Sequence, residues 1–188
     1  HARWMSCTVI FLCINQSEGG EVYIDHGDFS YFSSAITYGP FGVIDVRNSY
    51  FRHGSGSAIF GSFGYDSSRG GNAFSAVSAT IHVTQNYFED IQHGTSLAII
   101  GGQGLTDSNI SYIVENNTLK NMPSIAADFG GYNLQTPITV GANYYGDPTG
   151  PREPSNPGGL GVTARFGPDS IVMPFLTTEV FPNDDDDT

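Results

Sequence analysis

The chain has 188 residues, with 7 Lys plus Arg against 19 Asp plus Glu and a formal net charge of -12. That length holds one domain with a sizeable core and leaves little for a second, and the acidity repels phosphate backbones and anionic membrane surfaces, so nucleic acid is not an expected partner. With 24 glycines, 10 prolines and only 14% charged residues, salt-bridged helical faces have few candidates and helices are expected to be scarce. No apolar stretch reaches the roughly 20 residues that cross a bilayer, so membrane insertion is not expected either. No signal-peptide succession is visible, and a start at His1 rather than Met reads as a processed or excised piece.

In chain order, the first apolar run is "SCTVIFLCIN" from Ser6, which holds both cysteines. If it is extended, Cys7 and Cys13 stand about 20 Å apart, too far for a disulfide unless the run folds back. Buried free thiols are the expectation. Within the run, "VIFLCI" from Val9 is a weak first copy of a unit that recurs as "IDHGDF" from Ile24, "VRNSYF" from Val46, "VTQNYF" from Val83, "VENNTL" from Val114 and "VGANYY" from Val140. Each copy places an aliphatic residue five positions before a large apolar one. In an unbroken strand such residues face opposite sides, so the chain must bend between them. Gly27, Asn48, Asn86, Asn116 with Asn117, and Asn143 stand where a left-handed corner would bend it.

Behind the corners comes a second marker, "SAITYG" around Ala35, "SAIFG" around Ala58, "LAIIGG" around Ala98 and "IAADFGG" around Ala127. Successive copies of the unit start 22, 37, 31 and 26 residues apart, which suits a coil of about 22 residues with insertions of variable length, the signature of a solenoid. Its short strands would stack in parallel at about 4.8 Å per level, with equivalent asparagines laddering between levels.

Two stretches repeat more closely, "RHGSGSAIFGS" from Arg52 and "QHGTSLAIIGG" from Gln92, and their alignment sets His53 over His93, Ala58 over Ala98 and Gly61 over Gly101. On adjacent levels the imidazoles would lie about 5 Å apart. That spacing suits a shared metal or an acid and base pair, and it is equally what any repeated residue does in a solenoid. Two histidines want a third ligand, for which Glu89 and Asp90 are nearest in sequence. The insertion "SFGYDSSRGGNAFSAVSA" from Ser62 carries Phe63, Tyr65, Asp66 and Arg69, able to wall a groove. Together with Tyr31 and Tyr38, these aromatics either stack on sugars or fill the core.

An open solenoid end needs a cover. "GDPTGPREPSNPGGLG" from Gly146 is too rich in Pro and Gly to continue a ladder, and one apolar strand, "DSIVMPFL", follows it. We therefore expect β rungs over 1–145 and a cap or covering arm over 146–188. The final "NDDDDT" reads as a solvated tail or the start of an oxygen-rich calcium segment. The sequons at Asn15, Asn109 and Asn116 matter only in a glycosylating host, and Asn116 reads as a ladder residue.

The corner units, with "ANYYGDPTGP" from Ala142, "NPGGLG" from Asn156 and "IVMPFL" from Ile171, resemble the closing segment of secreted right-handed parallel β-helix proteins of the pectate-lyase-like superfamily. The likeness covers about residues 20 to 176, with Tyr145 and Phe175 where that pattern has tryptophan. It implies an all-β fold, a right-handed parallel β-helix of about five or six rungs, extracellular placement and polysaccharide as a partner. It does not imply an activity, since the superfamily holds lyases, hydrolases, esterases and inert rods alike.

By analogy with the lyases, where an Arg or Lys takes the proton beside a uronate carboxylate and aspartates hold calcium, Arg52 beside His53 is the best-placed base. Calcium is the one cofactor the resemblance suggests, although no run of aspartates at adjacent strand positions supports it. The hydrolases need converging carboxylates, and their motifs are absent apart from an echo in His53-Gly54. The candidate catalytic set is Arg52, His53, Asp90 and His93; the candidate binding set is Tyr31, Tyr38, Phe63, Tyr65, Asp66 and Arg69. Three readings stand: a structural or polysaccharide-contacting module, a polysaccharide lyase or hydrolase, and a filament subunit associating end to end.

Overall fold

The structure is a computed structural model that describes residues 12–14, 21–33, 35–38, 41–62, 76–92, 97–100, 107–122, 125–129, 138–166, 170–172 and 174–183. Among these, every regular element is a β-strand, and the strands form three sheets. Sheet I holds β1 (Leu12–Ile14), β4 (Ile36–Tyr38), β7 (Ile59–Ser62), β10 (Leu97–Ile100), β13 (Ile125–Phe129) and β15 (Thr163–Phe166). Sheet II holds β2 (Glu21–Asp25), β5 (Phe41–Arg47), β8 (Ala76–Thr84), β11 (Asp107–Glu115), β14 (Ile138–Val140) and β16 (Ser170–Val172). Sheet III holds β3 (Asp28–Ser30), β6 (Tyr50–Arg52), β9 (Tyr87–Glu89) and β12 (Thr118–Lys120). Within each sheet the strands pair in parallel, and the chain visits sheets II, III and I in turn before starting again.

The recurrent unit sets the register. Ile24, Val46, Val83, Val114 and Val140 face one another along sheet II, and Phe29, Phe51, Phe88 and Leu119 along sheet III. Both rows point inward. The rings of Phe29 and Phe51 stack at 4.7 Å, and those of Phe51 and Phe88 at 5.0 Å, close to the spacing between neighbouring strands.

Bringing residues five apart into one core takes a left-handed residue between them, and His26, Asn48, Gln85 and Asn116 hold it, with φ between 48° and 57°. The corner therefore stands at His26 rather than Gly27 and at Gln85 rather than Asn86. The residue after each corner turns its side chain inside, where it must be tiny or hydrogen-bonded. A Cβ on Gly27 would lie 2.6 Å from the ring of Phe29. The other inward positions form a continuous ladder in which Gly27 N donates to Ser49 Oγ (3.0 Å), Ser49 N to Asn86 Oδ1 (3.1 Å), Asn86 N to Asn117 Oδ1 (3.0 Å) and Asn117 N to Asn143 Oδ1 (3.0 Å). The separations along it are 22, 37, 31 and 26 residues, as the spacing of the repeated unit predicts. Asn117 is the ladder residue, and Asn116, which reads from the sequence as a ladder residue, is the exposed corner.

Two further expectations change. β1 pairs with β4 in sheet I, so "VIFLCI" is not a copy of the unit that links sheets II and III. Leu97 faces Ile59 and Ala98 faces Phe60, so the "SAIFG" and "LAIIGG" markers are offset by two residues instead of lying Ala on Ala. Within the segment read as cap or arm, β15 and β16 add strands to sheets I and II. Beyond them, residues 174–183 run over sheet III. Leu176 N donates to Asn143 O at 2.9 Å, Thr118 Oγ1 exchanges bonds with Val180 O and N (2.8 and 2.9 Å), and Asn183 N reaches Asn48 Oδ1 at 3.4 Å. Gly150, at φ 82°–84° like Gly146, lets Phe175 seat against it, since a Cβ there would lie 2.6 Å from that ring.

Candidate functional site

After sheet III the chain turns a second time through a left-handed residue, and Tyr31, His53, Asp90 and Asn121 hold this corner with φ between 54° and 57°. Two of the candidate catalytic residues, His53 and Asp90, are thus equivalent positions on adjacent levels. Arg52 faces Glu89 in register, and His53 N donates to Glu89 O at 3.1 Å. The neighbour of His53 is accordingly Asp90; His93, which the sequence alignment sets beside His53, lies outside the described residues. The loop between corner and next strand differs in length from level to level, so a match of letters across it does not track the register.

His53 Nδ1 lies 3.4 Å from Asp90 Oδ2, with side chains 44% and 36% exposed. The ring of Tyr31, itself an exposed residue, stacks on the His53 imidazole at 5.2 Å. One candidate binding residue and two candidate catalytic residues therefore form a single solvent-open row. An imidazole beside a carboxylate can hold or pass a proton, and a flat ring with polar neighbours can seat a sugar.

Arg52 sits differently. Its Nη2 donates to Asp28 Oδ2 at 2.7 Å, and its guanidinium lies over the Tyr50 ring at 5.1 Å. The guanidinium is thus engaged by a carboxylate and a ring of its own sheet. Tyr38 is placed on β4, and nothing of its side chain is described; Phe63, Tyr65, Asp66 and Arg69 lie outside the described residues, as does the groove wall expected of them.

A second constellation escaped sequence reasoning. Outward-facing neighbours of the inward row on sheet III are Tyr50 and Arg52, Tyr87 and Glu89, Thr118 and Lys120. Lys120 Nζ lies 3.3 Å from Glu179 Oε1 and 3.5 Å from Glu89 Oε1, and 5.1 Å from the Tyr87 ring centre. The Tyr87 hydroxyl, and Glu179 beside it, raise the ammonium above its ordinary range. Burial raises the Tyr87 phenol, which donates to Glu179 Oε2 at 3.1 Å, and Phe181 stacks on its ring at 5.2 Å. The signal was the period-two alternation around each inward residue, but the partners Glu179 and Phe181 come from some 60 to 90 residues away along the chain. Among the described residues no group of three His, Cys, Asp or Glu side chains could hold a metal ion. Comparison of the chain with family models, with curated proteins and with solved structures finds no match.

Proposed function

We propose that the chain is a right-handed parallel β-helix module of a secreted or surface protein, a structural or polysaccharide-contacting rod. The observation that supports it best is the cyclic order of the three parallel sheets around one unbroken inner ladder from Gly27 to Asn143. Such a construction extends by adding levels and holds outward groups at a fixed pitch. The row of Tyr31, His53 and Asp90 is the contact surface in this reading, with Tyr31 69% exposed. Affinity electrophoresis through gels carrying neutral polysaccharides or polyuronates tests it. Retardation by at least one glycan, abolished by Tyr31→Ala without loss of fold, is expected; free migration through every gel would leave the rod without its proposed contact.

The His53–Asp90 pair favours a second reading, a polysaccharide lyase or hydrolase acting at the same corner. Following unsaturated product and new reducing ends, with and without calcium, decides between the two. Activity that disappears in His53→Ala and Asp90→Ala would replace the binding role by a catalytic one.

A further inference from the structure

We propose that Asn116 is an N-glycosylation site, modified before the C-terminal arm docks. The inference rests on the secreted reading above. Asn116-Asn117-Thr118 is an Asn-x-Thr acceptor sequence, and the fold gives its two asparagines opposite fates. Asn117 is fully buried, and its Nδ2 donates to Val83 O (2.7 Å), Glu115 O (3.1 Å) and Asn143 Oδ1 (2.9 Å). Asn116 holds the left-handed corner at φ 56° and is exposed. Its backbone N–H donates to Ala142 O at 2.7 Å, and among the described residues no hydrogen bond uses its carboxamide. The equivalent Asn48 is different on both counts. Its Nδ2 donates to Asp25 Oδ1 at 3.0 Å and its Oδ1 accepts from Asn183 N, and Asn48-Ser49-Tyr50 is not an acceptor sequence.

In the transfer a bond forms between Asn116 Nδ2 and C1 of an oligosaccharide, the bond from C1 to a polyprenyl diphosphate breaks, and the diphosphate leaves as the amide nitrogen gives up one proton. No oxidant or reductant is involved. The saccharide donor is a polyprenyl-diphosphate oligosaccharide, supplied with its transferase by the secretory membrane. Thr118 fixes the timing. Acceptor recognition uses its hydroxyl, yet in the folded chain Thr118 is fully buried and Oγ1 is engaged by both polar atoms of the Val180 backbone. Val180 lies 62 residues further on, so an emerging chain presents the free hydroxyl before the arm that covers it exists.

Translation of the full chain behind a secretory leader, in the presence of microsomes, tests both parts. The expected result is a gel shift that an amidase removes, with deamidated Asn116 in the peptide map. Asn116→Gln and Thr118→Val lose the modification at this position, and Thr118→Ser keeps it. Folded, purified chain offered afterwards to the same membranes should stay unmodified. An unmodified Asn116 in a chain that carries glycan at Asn15 or Asn109 would overturn the site while leaving the secreted reading intact; equal modification of the folded chain would overturn the timing. Failure of polysaccharide binding bears on neither.

Discussion

The carboxamide of Asn117 reaches the backbone of the preceding level, its Nδ2 donating to Val83 O and its Oδ1 accepting from Asn86 N, while the Asn117 backbone N–H donates to the Asn143 side-chain Oδ1. Removing it strands a buried donor and a buried acceptor, each costing about 1–3 kcal/mol. Asn117→Ala is therefore expected to lose about 3 kcal/mol or more by urea denaturation. Asn116→Gly, which keeps the left-handed corner and removes an outward side chain, should change stability by less than about 0.5 kcal/mol. Equal losses at the two positions would contradict the assignment of inside and outside. The sequence showed that a bend had to fall within the unit, because aliphatic and aromatic residues five apart cannot share a core along one strand. It did not show which residue bends, since the corner and the ladder position both favour asparagine. In "VTQNYF" the ladder takes Asn86 and forces Gln85, no natural left-handed residue, into the corner.

At the scale of the element, the aromatic stack along sheet III turns register into stability. Phe51 is fully buried between Phe29 and Phe88. Phe51→Ala opens a cavity on both of its ring faces and should cost about 3–5 kcal/mol, whereas Phe51→Leu, matching Leu119 one strand beyond Phe88, should cost markedly less. Thermal unfolding of both variants checks the difference, and a small loss on truncation would show that the stack collapses around the gap. These strands were legible because one inward residue sits between two outward ones. β1 was not: "VIFLCI" is apolar at both parities, so its pattern fits any of the three sheets and only its pairing with β4 decides. The alignment of Ala58 over Ala98 in the His-Gly repeat failed for a related reason. Its letters align across a loop of unequal length, while hydrogen bonds set Asp90 beside His53. That pair is more than a third exposed on both sides, so His53→Ala is expected to cost under about 1 kcal/mol and to leave the fold intact.

At the scale of the molecule, residues 174–183 tie the far ends of sheet III together, from Asn143 through Thr118 and Tyr87 to His26 and Asn48. The Pro- and Gly-rich stretch after Gly146 reads as the start of a cap or arm, yet β15 and β16 beyond it continue sheets I and II, and the path of residues 174–183 was not legible because Glu179, Phe181 and Asn183 find partners that no periodicity connects to them. Lys120 is the charge that fastens the middle of the arm. The Tyr87 hydroxyl and Glu179 raise its folded pKa above the unfolded value, so its contribution is fully present below the unfolded lysine value of about 10.4 and is lost as pH rises through the folded one. The arm should consequently stay docked across neutral and mildly alkaline pH and loosen only above about pH 10.5. Fluorescence of a dye attached to a cysteine introduced at Thr178, an exposed position on the arm, follows the release. Lys120→Met removes the titrating group and should abolish the alkaline transition, with a weaker arm at every pH. Glu179→Gln keeps the shape of the arm and lowers the Lys120 value, moving the transition toward neutrality. A transition unchanged in both variants would place the alkaline limit elsewhere and leave the arm held by its other contacts, among them the Thr118–Val180 exchange and the Tyr87–Phe181 stack.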